Sequence, residues 1–258
     1  MIFSKISKQS PYFGDLWTFF QIATSLGRRT AYSMMGVGLH GQEGVGPATA
    51  LRMIKIWVTP RLLHGLESAV LKKSHLHKLD RYYKRLLRQV QGLPTNTATE
   101  AVYLMIGALP VEALLHKKIF SQIGAIGRLP QDDPLKEIAI RQLACRDSGG
   151  GSWFAQAIRL GEKYGVDVHS AIKHGWPKMT WKRHINLCIS DHWWLELKRT
   201  AAGKKTLRWL LLGSQGVPHQ LWTTCTSQNF HTQAATIRAK MLVGRYLLQT
   251  DRAKFAGG

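Results

Sequence analysis

The sequence has few acidic residues, few cysteines and no long hydrophobic run. Its 258 residues include 36 Lys and Arg but only 15 Asp and Glu, which gives a formal net charge of +21. The three cysteines, Cys145, Cys188 and Cys225, form no Cys-x-x-Cys pair, so they indicate neither a zinc knuckle nor a disulfide framework. No apolar run approaches the roughly 18 to 20 residues that span a bilayer, so no membrane partner is expected.

Recognisable catalytic and cofactor motifs are missing as well. The histidines form no His-Glu-x-x-His motif, and Gly36, Gly38 and Gly41 lack the Gly-Lys-Ser/Thr frame of a phosphate-binding loop, so a turn between helices is the better interpretation. The adjacent carboxylates Asp132 and Asp133 have a proline on either side, which favours helix capping over metal binding in a strand hairpin. We expect no enzyme active site, no cofactor and no metal.

The excess of positive charge is the strongest functional signal in the composition. It is divided almost equally between residues 1–130 and 131–258, so it belongs to the whole chain and not to a basic tail. Phosphate backbones are the commonest partners of such a surface. The composition therefore indicates a nucleic-acid-binding protein.

Apolar residues recur at helical spacing through most of the chain. No Asn-Gly or Asp-Gly hairpin turn occurs, and alternating runs are short. We therefore predict an all-α or nearly all-α fold. Over residues 75–91 the predicted buried face consists of Leu76, Leu79, Tyr83, Leu86, Leu87 and Val90. Ser74 is the predicted N-cap of this helix and Gly92 its terminating residue.

Further start and stop signals divide the rest of the chain. Thr97 and Glu100 have the spacing of a capping box, and Asp133 precedes Pro134 as an N-cap precedes the first helical residue. Ser152 is predicted to start a helix that ends at Gly165, and a long helix is predicted over 180–202. Most of the nine tryptophans are expected to fill the core, although exposed indoles could stack on bases.

A basic stripe lies opposite the apolar face of the helix over 75–91. Its members are His77, Lys78, Arg81, Lys84, Arg85 and Arg88. Only Asp80 offers a nearby carboxylate, to Lys84, whereas a merely solvated helix usually mixes charges of both signs. We therefore favour contact with phosphates over a solvated face. Arg28 and Arg29, shortly before Tyr32, form a second candidate site.

Several segments resemble the part of non-LTR (LINE-type) retrotransposon reverse transcriptases that follows the polymerase core. They are "LGRRTAYSMMGVGLHG", "VTPRLLHGLES", "LDRYYKRLLRQVQGLPTNTATEAVYLMIGALPVEALLHKKIF", "RQLACRDSGGGSWF" and "RAKMLVGRYLLQTDRAKF". Together they extend over about residues 22–255. In that family the metal-binding aspartates belong to the palm, and a helical thumb that holds the template-primer duplex follows it.

The resemblance implies a division of the chain into three parts. Residues 1–46 would be a divergent N-terminal segment with the palm-to-thumb connection, and 47–130 a thumb-like helical bundle. Residues 131–258 would be a helical C-terminal extension with a linker near 147–152, where "DSGGGS" favours an unstructured chain. The Tyr/Phe-x-Asp-Asp segment of the palm and the Cys/His-rich segment of relatives are missing, so we expect neither polymerase activity nor zinc binding.

The resemblance leads to one main hypothesis and leaves alternatives open. The main hypothesis is a fragment that grips the backbone of RNA, DNA or an RNA–DNA hybrid in the nucleus or cytoplasm, with the nucleus implied by the family alone. The alternatives are a product of a decayed element without function, or a surface for a palm and fingers domain outside this chain.

Overall fold

The computed structural model describes residues 16–40, 44–145, 151–208, 210, 216–225 and 229–246, and all regular structure in these ranges is helical. The predicted all-α class is therefore confirmed. The α-helices are α1 Leu16–Met35, α2 Pro47–Met53, α3 Thr59–Leu62, α4 Lys73–Val90, α5 Thr99–Ile106, α6 Val111–Gly127, α7 Pro134–Ala144, α8 Trp153–Tyr164, α9 Val168–His174, α10 Lys178–Ala202, α11 Gln220–Thr223 and α12 Asn229–Leu242. A π-helical turn, Ile54–Val58, joins α2 to α3, and short 3-10 turns cover Leu66–Ser68 and Lys205–Leu207. None of the helices in these ranges is long and apolar enough to cross a membrane.

Helix α4 buries the face that the sequence predicts. All the predicted residues from Leu79 to Val90 are buried, and only Leu76, in the first turn, is partly exposed. The helix ends as predicted, because Gly92 adopts a left-handed conformation with a φ of 61°. The predicted N-cap is wrong: the helix begins at Lys73, directly after Lys72, so Ser74 lies within its first turn.

Two of the remaining predicted caps form and one does not. The side chain of Asp133 accepts a hydrogen bond from the backbone N–H of Leu135 (2.8 Å), and that of Ser152 accepts one from Ala155 (3.1 Å). The predicted capping box of Thr97 and Glu100 is wrong. Helix α5 starts at Thr99, its N-cap residue is Ala98, and no side chain caps it. The Glu100 carboxylate instead accepts a hydrogen bond from Lys204 Nζ (2.5 Å).

Helix α6 occupies the centre of the molecule and packs against α4, α9 and α10. Close approach of α10 requires glycine at position 124, where a Cβ atom would lie 2.2 Å from Cδ1 of Trp181. The Trp181 indole N–H donates a hydrogen bond to the carbonyl of Phe120 (2.7 Å), which satisfies its polar atom in the core. Trp181, Trp194 and Trp222 are buried as expected, whereas Trp57 is 52% exposed.

A buried polar cluster joins α8 to α6 and α10. The Trp193 indole N–H donates to the Tyr164 hydroxyl (2.9 Å), which in turn lies 2.7 Å from Nδ1 of His116. Burial, with a contribution from the Lys163 charge, lowers the pKa of His116 to about 3. A neutral imidazole that accepts the Tyr164 proton at Nδ1 satisfies this geometry.

Apolar side chains from all three predicted regions share one core. The cluster of buried residues extends from Phe20 in α1 to Val243 after α12. The predicted boundaries at 46/47 and 130/131 stay predictions. The predicted linker at 147–152 lies outside the described residues except for Gly151 and Ser152.

Candidate nucleic-acid interface

Helices α1 and α4 lie on opposite sides of a groove of about 640 Å³. Four basic side chains line it, namely Arg28 from α1 and Lys78, Arg81 and Arg85 from α4. Its most deeply buried lining residues are apolar: Phe20, Ala31 and Leu86. The two basic clusters that the sequence analysis treats separately thus meet in one groove. We call these four cations the groove cations.

Helix α1 is held in place by contacts from both neighbouring segments. On the α3 side, Gly27 lies so close to Leu62 that a Cβ atom would be 2.9 Å from Leu62 Cδ1, and Arg61 donates to the Thr30 hydroxyl (3.0 Å). On the α4 side, the Tyr82 hydroxyl donates to the carbonyl of Gly27 (3.4 Å). Contacts other than those of the four groove cations therefore position α1 relative to its neighbours.

Helices α1 and α4 also contact each other near both ends of α4. The rings of Phe20 and His75 stack with centroids 4.9 Å apart, and Gln89 Nε2 lies 3.6 Å from the sulfur of Met35. Helix α1 is therefore held against α4 at more than one point along its length.

Two of the groove cations make no hydrogen bond or ion pair with the residues that the structure describes, namely Arg81 and Arg85. Arg28 lies over the Tyr82 ring at 5.5 Å, a cation–π contact that leaves the charge in place. No carboxylate occurs among the described residues that line the groove. The groove therefore concentrates positive potential above an apolar floor.

Tyr82 is a wall residue that the sequence analysis did not identify. Burial raises the pKa of its hydroxyl to about 12 against the opposing effect of Arg28, so the phenol is neutral and can donate to Gly27. A signal was present in the sequence: Lys78, Tyr82, Arg85 and Gln89 recur at helical spacing, and all four line the groove. That spacing indicates a second face of α4 that packs beside another helix.

Two members of the predicted stripe have partners within the protein. Lys84 forms an ion pair with Asp80 (2.8 Å), the pairing that the sequence suggests, and Asp80 also accepts a hydrogen bond from the Tyr103 hydroxyl (2.5 Å). Arg88 donates from Nη2 to the carbonyl of Thr97 (2.8 Å). Lys84 and Arg88 do not line the groove, and their side chains bind partners within the protein.

Arg29 is the remaining predicted site residue, and it lies apart from the others. It is exposed on α1, but it is not among the described residues that line the groove. The glycine-spaced segment after α1 forms a turn over 36–40, in which Gly38 has a φ of 96°. The turn agrees with the interpretation of these glycines as a helix connection, while position 41 lies outside the described residues.

The remaining candidate groups are metal-ligating side chains and the adjacent carboxylates Asp132 and Asp133. Among the described residues, no cluster of three or more His, Cys, Asp or Glu side chains could hold a metal ion. Asp133 caps α7 and Asp132 is exposed beside it, as the capping interpretation predicts. Comparison of the chain with protein-family models, with curated proteins and with solved structures found no match.

Proposed function

We propose that this chain binds nucleic acid by its phosphate backbone in the groove between α1 and α4. The observation that carries the proposal is the convergence of Arg28, Lys78, Arg81 and Arg85 on one groove without a lining carboxylate among the described residues. Arginine binds phosphate in a bidentate manner and retains its charge when partly desolvated. Like charges held together also repel, so phosphate oxygens would stabilise the arrangement.

The resemblance of the sequence supports a more specific form of the proposal. The chain would be the helical region of a non-LTR retrotransposon reverse transcriptase that follows the palm, and it would hold template-primer RNA, DNA or hybrid duplex in the nucleus or cytoplasm. In this proposal it binds without catalysing synthesis, since the sequence contains no recognisable palm motif. Primer extension with the purified chain and Mg²⁺ tests that part, and any metal-dependent product would contradict it.

The binding proposal is tested by fluorescence anisotropy with a short RNA–DNA hybrid at several salt concentrations. Four groove cations in contact with phosphates predict a slope of log K against log salt of about −3 to −4, at about 0.7 to 0.9 per contact. Replacement of two of them, Arg81→Gln with Arg85→Gln, should reduce the slope by about 1.5 to 2. The circular dichroism spectrum should not change, because neither side chain has a partner among the described residues.

A matched control uses basic residues outside the groove. Lys173 and Lys178 are exposed and do not line it, so Lys173→Gln with Lys178→Gln removes the same charge elsewhere. If both double variants reduce the slope equally, binding depends on net charge and not on the groove. Absence of binding even at low salt would contradict the proposal as a whole.

A protein-contact surface is a second candidate, favoured by one observation. Ile56 and Trp57, adjacent in the π-helical turn, are 63% and 52% exposed. Large apolar side chains exposed side by side are typical of contact sites, and π-helical turns occur often at functional positions. Sedimentation equilibrium tests it: association that increases with concentration and is lost in Trp57→Gln would support a protein partner at this turn.

A further inference from the structure

A second positively charged pocket lies between α6 and α10, on elements that contribute nothing to the groove. Its volume is about 120 Å³. The lining consists of three lysines, two further polar residues and two apolar ones: Lys117, Lys118, Lys182, Ser121, Asn186, Trp181 and Ile185. Ligand sites for whole small molecules usually measure about 300 to 1,000 Å³, so this pocket is too small for a nucleotide.

The three lysines differ in how firmly they are held. Lys117 is partly buried and donates to the hydroxyl of Ser190 (2.9 Å). Lys118 donates to the Glu67 carboxylate (3.2 Å) and to the carbonyl of Leu63 (3.3 Å). Lys182 is exposed at the mouth and has no hydrogen bond or ion pair with the described residues. The ammonium groups of Lys117 and Lys118 are thus held by partners within the protein, whereas that of Lys182 is available to a ligand.

Positive charge at this pocket exceeds its compensation. Glu67 is the only carboxylate paired with any of the three lysines among the described residues. A fourth lysine, Lys55, is close enough to act on Lys117. Burial, reinforced by the repulsion from Lys55, lowers the pKa of Lys117 to about 8. An anion in the pocket would offset the repulsion and favour the charged form of Lys117.

The lining chemistry selects the class of anion. Lys117, Lys182, Ser121 and Asn186 offer ammonium, hydroxyl and carboxamide donors from two helices, and donors of several kinds suit the oxygens of a tetrahedral oxyanion. A planar carboxylate could use fewer of them. We propose that the pocket between α6 and α10 binds a single phosphate group, with Lys117, Lys182 and Asn186 as its principal donors.

The phosphate group could belong to a small phosphorylated ligand or to the backbone of a bound nucleic acid. The site itself does not depend on the proposed function of the groove, because no residue lines both. Only the second source rests on nucleic-acid binding, and the two sources give different results in the test below.

Binding is tested by isothermal titration of the intact chain with inorganic phosphate at constant ionic strength, with chloride as the reference salt. The wild type should bind one phosphate, and Lys182→Gln should weaken binding by about tenfold or more, as expected when one charge-assisted hydrogen bond is lost. Arg183→Gln is the matched control, because Arg183 is the next residue, is exposed and does not line the pocket. Equal affinity in all three proteins, or no binding to the wild type, overturns the site.

Anisotropy with the RNA–DNA hybrid then identifies the source. A salt slope that becomes shallower by about 0.7 to 0.9 in Lys182→Gln, relative to Arg183→Gln, assigns the pocket to a backbone phosphate. An unchanged slope together with retained phosphate affinity in the wild type assigns it to a small phosphorylated ligand. The groove variant Arg81→Gln with Arg85→Gln should bind inorganic phosphate as the wild type does, so failure of the groove is distinguished from failure of the pocket.

Discussion

Two sides of helix α4 carry the same types of residue in different surroundings. Arg81 and Arg85 point into the groove without partners among the described residues, whereas Lys84 and Arg88, only three residues further along in each case, are bound to Asp80 and Thr97. A step of three residues turns a side chain by most of a helical turn, but the remaining rotation suffices to change its neighbours. The role of a basic residue in this helix is therefore decided by what packs beside it and not by its type.

The difference has a physical basis in desolvation. A charge that faces an open groove keeps its water and stays available to a ligand, whereas one that is partly buried requires a hydrogen-bond partner within the protein. We expect substitutions on the groove side to affect binding and substitutions on the inner side to affect stability.

Charge reversal on the groove side should have the largest effect. In Arg81→Glu with Arg85→Glu, carboxylates would repel phosphates where cations attract them. Affinity for the RNA–DNA hybrid at about 0.15 M salt should fall by about 100-fold or more, because two contacts are lost and repulsion is added. Urea unfolding should give nearly the same midpoint as the wild type. An affinity loss of less than threefold would mean that the groove is not the binding surface.

Substitution of Arg88 should have the opposite pattern. Arg88→Met removes the donor to the carbonyl of Thr97 and keeps the apolar part of the side chain. The free energy of unfolding in urea should fall by about 1.5 to 3 kcal/mol, the range for a hydrogen bond to a charged group. Affinity for the hybrid, measured below the unfolding transition, should change less than twofold. A large loss of affinity with unchanged stability would place Arg88 among the binding residues instead.

The expected effect of Lys117 is intermediate in size. It is seen in the way the stability of the protein depends on pH. Its folded pKa of about 8 lies below the unfolded value of 10.5, so the unfolded chain binds more protons between these values. Stability from this residue should therefore increase as the pH rises from about 8 to about 10.5. Because the side chain keeps contact with solvent, the effect is on the order of 1 kcal/mol.

The contribution of Lys117 is isolated by comparison with Lys117→Met, since tyrosines titrate in the same range. The difference in unfolding free energy between the wild type and this variant should change with pH in the stated direction. Lys55→Gln should make the change smaller, because it removes the neighbouring charge that helps to lower the pKa of Lys117. No pH dependence of the difference would mean that Lys117 titrates as an ordinary lysine.

The smallest effect is expected at Lys84. Its ion pair with Asp80 spans one helical turn and is partly open to solvent, and Asp80 retains the hydrogen bond from Tyr103 when Lys84 is replaced. Lys84→Gln should lower the free energy of unfolding by about 0.3 to 0.5 kcal/mol in urea and leave affinity for the hybrid unchanged. A reduction of affinity similar to that of Arg81→Gln would remove the distinction between the two sides of α4.

Local rules predicted the helices better than their ends. The apolar face from Leu79 to Val90 follows from spacing alone, and Asp133 and Ser152 cap their helices because a short polar side chain lies beside free backbone N–H groups. The capping box does not form, and Glu100 instead binds Lys204, which is 104 residues away in sequence. A contact at that separation cannot be inferred from neighbouring residues.

The candidate site was predictable in part for the same reason. Helical spacing identified Lys78, Arg81 and Arg85 as members of one basic stripe, and it identified Arg28 as a separate basic residue. Their meeting in one groove depends on the position of α1, where Gly27 packs against Leu62 of α3 and accepts a hydrogen bond from Tyr82 of α4. No pattern in the sequence indicated the hydrogen bond from Arg88 to Thr97 or the pocket at Lys117.

Composition and interactions within one or two helical turns are enough to specify the helical class, the strong positive charge and the face of α4 that is buried. Which cations remain available depends instead on the packing of the helices. Lys118 meets Glu67 from 51 residues away, and Lys182 of α10 joins Lys117 of α6 in one pocket. Desolvation and Coulomb interactions act over a few ångströms in space regardless of separation along the chain, so the fold decides which charges are neutralised and which face a ligand.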